Sequence, residues 1–86
     1  MNPASIDDKI DDKFLYAHQN IRVAFFNNGI FTYGDLMKKE YIQLLGMRGI
    51  ANLSIDYMQK YLKSKGFEGI KNYDFMSKKH KNTLDR

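Results

Sequence analysis

Apolar positions recur at helical spacing along most of the chain. Phe14, Ala17, His18, Ile21, Ala24 and Phe25 share one face, which predicts a helix closing at Asn27-Asn28-Gly29. Gly29 is placed there as the left-handed residue just past the helix end. Thr32-Tyr33-Gly34-Asp35 predicts the next start, with the Thr32 hydroxyl accepting from a backbone N–H and the Asp35 carboxylate reaching back. Leu36 and Met37 are its apolar side. Lys38-Lys39 interrupts the pattern, and a further short helix carries Tyr41, Ile42, Leu44 and Leu45. Residues 46–51, Gly-Met-Arg-Gly-Ile-Ala, leave room only for a tight turn.

The longest helical pattern follows, from about Ala51 to Lys65. Its stripe is Ile50, Leu53, Ser54, Tyr57, Met58, Tyr61 and Leu62, with Leu53 the one first-turn member expected to stay exposed. Gly66 is read as the left-handed end of this helix and Phe67 as folding back on its last turn. No segment alternates long enough for a strand. The expectation is an all-α fold, a compact bundle of four to five short helices. Residues 1–12 read as an acidic polar arm, in which Ser5 and Asp8 can cap a turn, and 13–70 as the folded domain. Residues 71–86 read as a basic tail whose order the pattern leaves open, with Tyr73, Phe75 and Met76 as candidates to dock on the core.

Eighty-six residues suffice for one hydrophobic core. Twelve Phe and Tyr residues supply its bulk, and without cysteine neither a disulfide nor a thiolate metal site contributes. The longest apolar runs are of the size of Val23-Ala24-Phe25-Phe26, which predicts neither a membrane span nor a signal-peptide core. A soluble, cytoplasmic protein is expected. Asp7-Asp8 and Asp11-Asp12 lack the alternation, central glycine and distant glutamate of a calcium loop, so no metal is expected. His18 lies on an apolar face and reads as a packed histidine, whereas His80 among lysines reads as solvated. With no cysteine, two distant histidines and no carboxylate pair in an apolar setting, the chain reads as no enzyme, with no cofactor and no small-molecule substrate.

Charge is distributed unevenly. Residues 1–21 hold Lys9 and Lys13 against four aspartates, a net −2, whereas residues 58–86 hold eight basic and three acidic residues, a net +5. A cationic third attracts phosphate backbones through long-range Coulomb forces. The segment most suited to hold one is Leu44-Leu45-Gly46-Met47-Arg48-Gly49-Ile50-Ala51 with the helix after it. Gly49 permits a turn closed to most side chains. Ile50 plugs the cleft between two helices, and a small Ala51 lets another backbone approach. The amides from Gly49 to Leu53 then sit at a helix N-terminus, where partial positive charge favours a phosphate oxygen. This is the pattern of a helix-hairpin-helix unit, which grips nucleic-acid backbone without reading sequence. Arg48, Gly49, Ala51, Asn52 and Ser54 are the expected phosphate contacts, with Arg22, Lys63 and Lys65 adding to the field.

Residues 15–67 resemble the C-terminal domain of the bacterial RNA polymerase alpha subunit. Asn28-Gly29-Ile30 is similar to that family's "AGI" helix end, and Thr32-Tyr33-Gly34-Asp35-Leu36 to its "YIGDL" or "TVEEL" step. Seven residues then separate Leu36 from Leu44-Leu45, Gly49-Ile50-Ala51 stands at the "NLG" hairpin, and Leu62-Lys63-Ser64-Lys65-Gly66-Phe67 resembles "LASRGL". The resemblance implies binding to A·T-rich promoter DNA in the minor groove and contacts with activators and sigma factor. Ser54 and the hairpin amides match the family's phosphate-binding set. Its minor-groove arginine falls near Asn20, its first-helix asparagine at Val23, and its phosphate-binding lysine at Leu53. The apolar residues at two of these positions, Val23 and Leu53, support an alternative: a protein-interaction domain on the same fold, using Val23 and Leu53 against polymerase, sigma factor or another regulator.

Overall fold

The computed structural model describes residues 4–84, with side chains as far as residue 78. Its regular elements are six helices: α1 (Asp12–Ala17), α2 (Gln19–Asn27), α3 (Tyr33–Met37), α4 (Tyr41–Leu45), α5 (Asn52–Ser64) and α6 (Tyr73–Leu84). The fold is all-α. α1 packs on α2, and α4 lies against both α5 and α6.

Local signals set most boundaries. α2 ends with Gly29 at φ +70°, and the Ile30 N–H returns to the Phe25 carbonyl at 2.9 Å. α5 ends the same way. Gly66 adopts φ +91°, while Gly66 and Phe67 donate to Lys63 at 3.0 Å and Leu62 at 3.0 Å, the paired bonds of a Schellman turn. At α3 the Asp35 N–H donates to the Thr32 hydroxyl at 3.1 Å, and the Asp35 carboxylate accepts from the Thr32 N–H at 3.1 Å. The same carboxylate takes the Phe31 N–H at 3.0 Å. This box is the one the sequence pattern predicts.

The core gathers Ile21 and Phe25 of α2, Tyr33 and Leu36 of α3, and Tyr41 and Leu44 of α4 around Ile55, Met58 and Leu62 of α5; all nine are fully buried. Buried phenols keep partners: Tyr33 and Tyr61 share a hydrogen bond at 2.8 Å, and the Tyr41 hydroxyl donates to Asn52 Oδ1 at 2.6 Å. Burial, reinforced by the Tyr33 contact, raises the Tyr61 pKa well above that of an ordinary phenol.

Four expectations change. The helix read from Phe14 is two helices, because the backbone leaves helical geometry at His18 (φ −131°, ψ 76°). Its imidazole sits with ring centroids 4.8 Å from Phe14 and 4.7 Å from Tyr57, the packed position expected for it. The buried stripe of α5 is rotated from the expected one. Ile55 and Gln59 face inward with Ser54, Met58 and Leu62, whereas Tyr57 is 41% exposed and marks the outer edge beside Leu53.

The arm is also part of the fold. Ile10 is buried, its N–H donates to the Phe31 carbonyl at 3.0 Å, and the Gly34 N–H donates to Ile6 O at 2.8 Å. The expected turn is present, with the Ser5 N–H on the Asp8 carboxylate at 2.9 Å. Finally, residues 73–84 are helical where a tail was expected. Gly69, at φ +105°, lies so close to the buried Gln59 amide that a Cβ would overlap it. Gln59 accepts the Ile70 N–H at 2.7 Å, and the chain turns through Asn72 (φ 63°) into α6. Tyr73 then donates to Asp56 at 2.7 Å, and burial with that bond pushes its pKa up to about 12. Tyr73 and Met76 pack on the core as suggested, whereas Phe75 is 70% exposed. His80 lies outside the described side chains.

Candidate nucleic-acid interface

α4, the 46–51 turn and α5 form two helices joined by a hairpin. The Met47 N–H donates to Leu44 O at 3.0 Å and the Ile50 N–H to Met47 O at 3.1 Å, closing two successive turns. Between them Gly49 takes φ +86°, a conformation that costs other residues roughly 1–2 kcal/mol. Open space surrounds its Cα, so the glycine is required by the backbone and not by crowding. Ile50 is buried beneath the turn, as a plug would be.

Asn20, at the start of α2, holds the hairpin from behind. Its Nδ2 donates to the Gly49 carbonyl at 3.1 Å and to Ser54 Oγ at 2.9 Å. Ser54 Oγ also accepts the Ala51 N–H, at 3.5 Å. Ser54 is therefore buried, facing α2, and its hydroxyl braces the turn where the sequence reading set it against phosphate. Asn52 is likewise half-committed: its Oδ1 accepts the Tyr41 hydroxyl.

The outward groups are backbone. Ala51 occupies the N-cap of α5 with extended geometry (φ −115°, ψ 174°) and has no side chain to cap with. Among the described residues no acceptor meets the N–H groups of Asn52, Leu53 or Ser54. α5 is 13 residues long, so its dipole adds partial positive charge at that end. Arg48 and Ala51 are exposed next to these amides, and Leu53 is 60% exposed on the first turn.

The remaining expected residues sit elsewhere. Lys63 and Lys65 lie at the opposite end of α5, roughly 20 Å away at 1.5 Å per residue. Lys65 is paired with Asp11 at 2.7 Å, with its ammonium 5.6 Å from the centre of the Tyr61 ring. That contact lowers the Asp11 pKa and raises that of Lys65. Arg22 leans on Tyr16 in a separate cavity. Val23 is 45% exposed on α2. The hairpin thus keeps Arg48, Gly49, Ala51 and the first amides of α5 together, and does not gather Arg22, Lys63 or Lys65. No family model matches the chain, and no curated protein or solved structure is significantly similar to it. Asn20 is the contributor that sequence reasoning missed. A lone polar residue on a helix start carries no sign that it braces a turn 29 residues later.

No helix among the described residues is long and apolar enough to cross a membrane.

Proposed function

We propose that this chain is a non-enzymatic, cytoplasmic DNA-binding module that holds phosphate backbone through the hairpin amides and Arg48. The observation that carries the reading is the braced Gly49 turn: Asn20 fixes it from within, while the first amides of α5 stay open to an anion. The contact set is backbone and one arginine, so binding is weak, weakly sequence-dependent and lowered by salt with a log–log slope near that of a single phosphate contact, about −0.9. The resemblance of residues 15–67 to the polymerase alpha C-terminal domain supports a setting in transcription.

Fluorescence anisotropy with labelled A·T-rich and G·C-rich duplexes, at low and physiological salt, tests the proposal. Arg48→Ala is expected to weaken binding equally on both duplexes and to flatten the log–log salt slope by about 0.9. Gly49→Val is expected to weaken it further, because valine resists the left-handed turn that aims the amides. Duplex binding untouched by Gly49→Val would refute the hairpin as the site.

One observation favours a second reading. Leu53 and Val23 are exposed apolar residues, Leu53 beside the hairpin, and such groups suit a protein partner such as polymerase or sigma factor better than a polyanion. Under that reading Leu53→Ser and Val23→Ser abolish capture of the partner, and Arg48→Ala leaves it intact.

A further inference from the structure

A cavity of about 510 Å³ lies between the N-terminal arm, α1 and α2, apart from the hairpin. Its apolar lining runs from buried Ile30 and half-buried Leu15 to Tyr16, Phe26 and Phe31, which are 75%, 73% and 52% exposed. Three large rings left in water around one hollow are unusual in a domain that buries both Tyr33 and Tyr41 completely. Arg22 reaches into the same hollow. Its guanidinium carbon stands 5.6 Å from the Tyr16 ring centre, and its buried Nε has no hydrogen-bond partner among the described residues. No described carboxylate forms an ion pair with it.

We propose that this cavity binds a small amphipathic molecule carrying one aromatic ring and one carboxylate. The ring lies among Tyr16, Phe26 and Phe31, where offset or edge contacts between aromatic faces are favourable. The carboxylate meets the Arg22 guanidinium on the cavity wall, whose planar fork matches two carboxylate oxygens. The volume falls in the range of small-ligand sites, about 300–1,000 Å³. Charge limits the ligand to one anionic group. Asp12 is on the cavity wall, and Asp7 and Asp8 belong to an N-terminal segment of net −2 that repels phosphate-rich polymers. Lys9, also on the wall, offsets Asp12 locally without reversing that balance.

The test is an amide-resolved NMR titration of the full chain with 3-phenylpropionate, paired with its neutral analogue 3-phenylpropanamide. Saturable shifts are expected at Tyr16, Arg22, Phe26 and Phe31, with the amide about ten-fold weaker, a common worth for a charge-assisted hydrogen bond. Arg22→Gln is expected to remove the difference between acid and amide. Phe26→Ala, at an exposed position that leaves the fold alone, weakens both ligands, and Asp12→Asn tightens the acid. If Arg22→Gln fails to fold, the acid–amide ratio on the unmodified chain and the Phe26→Ala titration still decide. Equal affinity for acid and amide, or no saturable shift at these residues, overturns the proposal. So does binding by a peptide ending in phenylalanine where the free acid does not bind, which assigns the cavity to a protein partner. None of these outcomes depends on duplex binding at the hairpin.

Discussion

The starts of α3 and α5 solve the same physical problem in opposite ways. Both leave first-turn amides in need of acceptors. At α3, Thr32 and Asp35 satisfy the start from within the chain, and the Asp35 carboxylate also takes the Phe31 N–H. At α5 the cap position is an alanine. Only the reciprocal half of a box survives, the Ala51 N–H on Ser54 Oγ, and the outward amides stay open. The helix start that serves the fold uses its donors internally, and the one that keeps them free stands beside an exposed arginine. An uncapped start on a long helix is a local stability cost of about 1 kcal/mol, which a binding role would explain.

Both starts depend on one core, so the largest effect belongs there. Leu62 is fully buried on the inner face of α5. Leu62→Ala is expected to cost about 2–5 kcal/mol, a large share of a small domain's stability. A thermal melt that does not move would show that α5 presents a different face to the core, and both helix starts would need redrawing.

A pair of exchanges at the caps sharpens the contrast. Thr32→Ala is expected to destabilise by about 1 kcal/mol, since it removes the hydroxyl that the Asp35 N–H uses. Ala51→Asp is expected to do the reverse, adding about 0.5–2 kcal/mol by supplying the missing cap. It also sets a negative charge where a phosphate would sit, so duplex affinity falls while the melting temperature rises. Chemical denaturation and anisotropy on the same samples check both. If Ala51→Asp gains stability and loses no affinity, the open amides of α5 are not the binding site.

These features were unequally legible. The Thr32–Asp35 box and the two glycine-terminated helix ends were readable because each is decided within about four residues. The rotation of α5 was not, since Tyr57 and Ile55 are both acceptable apolar residues and only the position of α2 and α4 selects between them. α6 was hidden for a similar reason. Its lysines suggest a solvated tail, and its anchors, the Gln59 amide and the Asp56 carboxylate, lie 11 and 17 residues upstream of Ile70 and Tyr73. At the candidate site, Gly49, Ile50 and the amides were legible from turn chemistry. The use of the Ser54 hydroxyl to brace the turn was not, because it depends on Asn20 from another helix. Likewise Lys65 reads as a free cation until the arm brings Asp11 to it.

Acid separates the two starts by the smallest effect. At α3 the acceptor is ionisable: the Phe31 and Thr32 N–H groups, together with the Thr32 hydroxyl, hold the Asp35 carboxyl below its ordinary pKa. A folded-state pKa lower than the unfolded one means that the unfolded chain binds the proton first. The contribution of Asp35 is therefore fully present above the ordinary aspartate value of about 3.9 and is lost as pH falls through the lower folded value. Asp11, lowered by its bond to Lys65, titrates in the same direction and loosens the arm. At α5 the acceptor is the neutral Ser54 hydroxyl, which no proton can remove. Amide exchange followed below about pH 4 is thus expected to open Phe31 and Thr32 before Ala51. Simultaneous opening of all three would mean that the α3 box draws no strength from its charge, and the difference between the two starts would reduce to geometry alone.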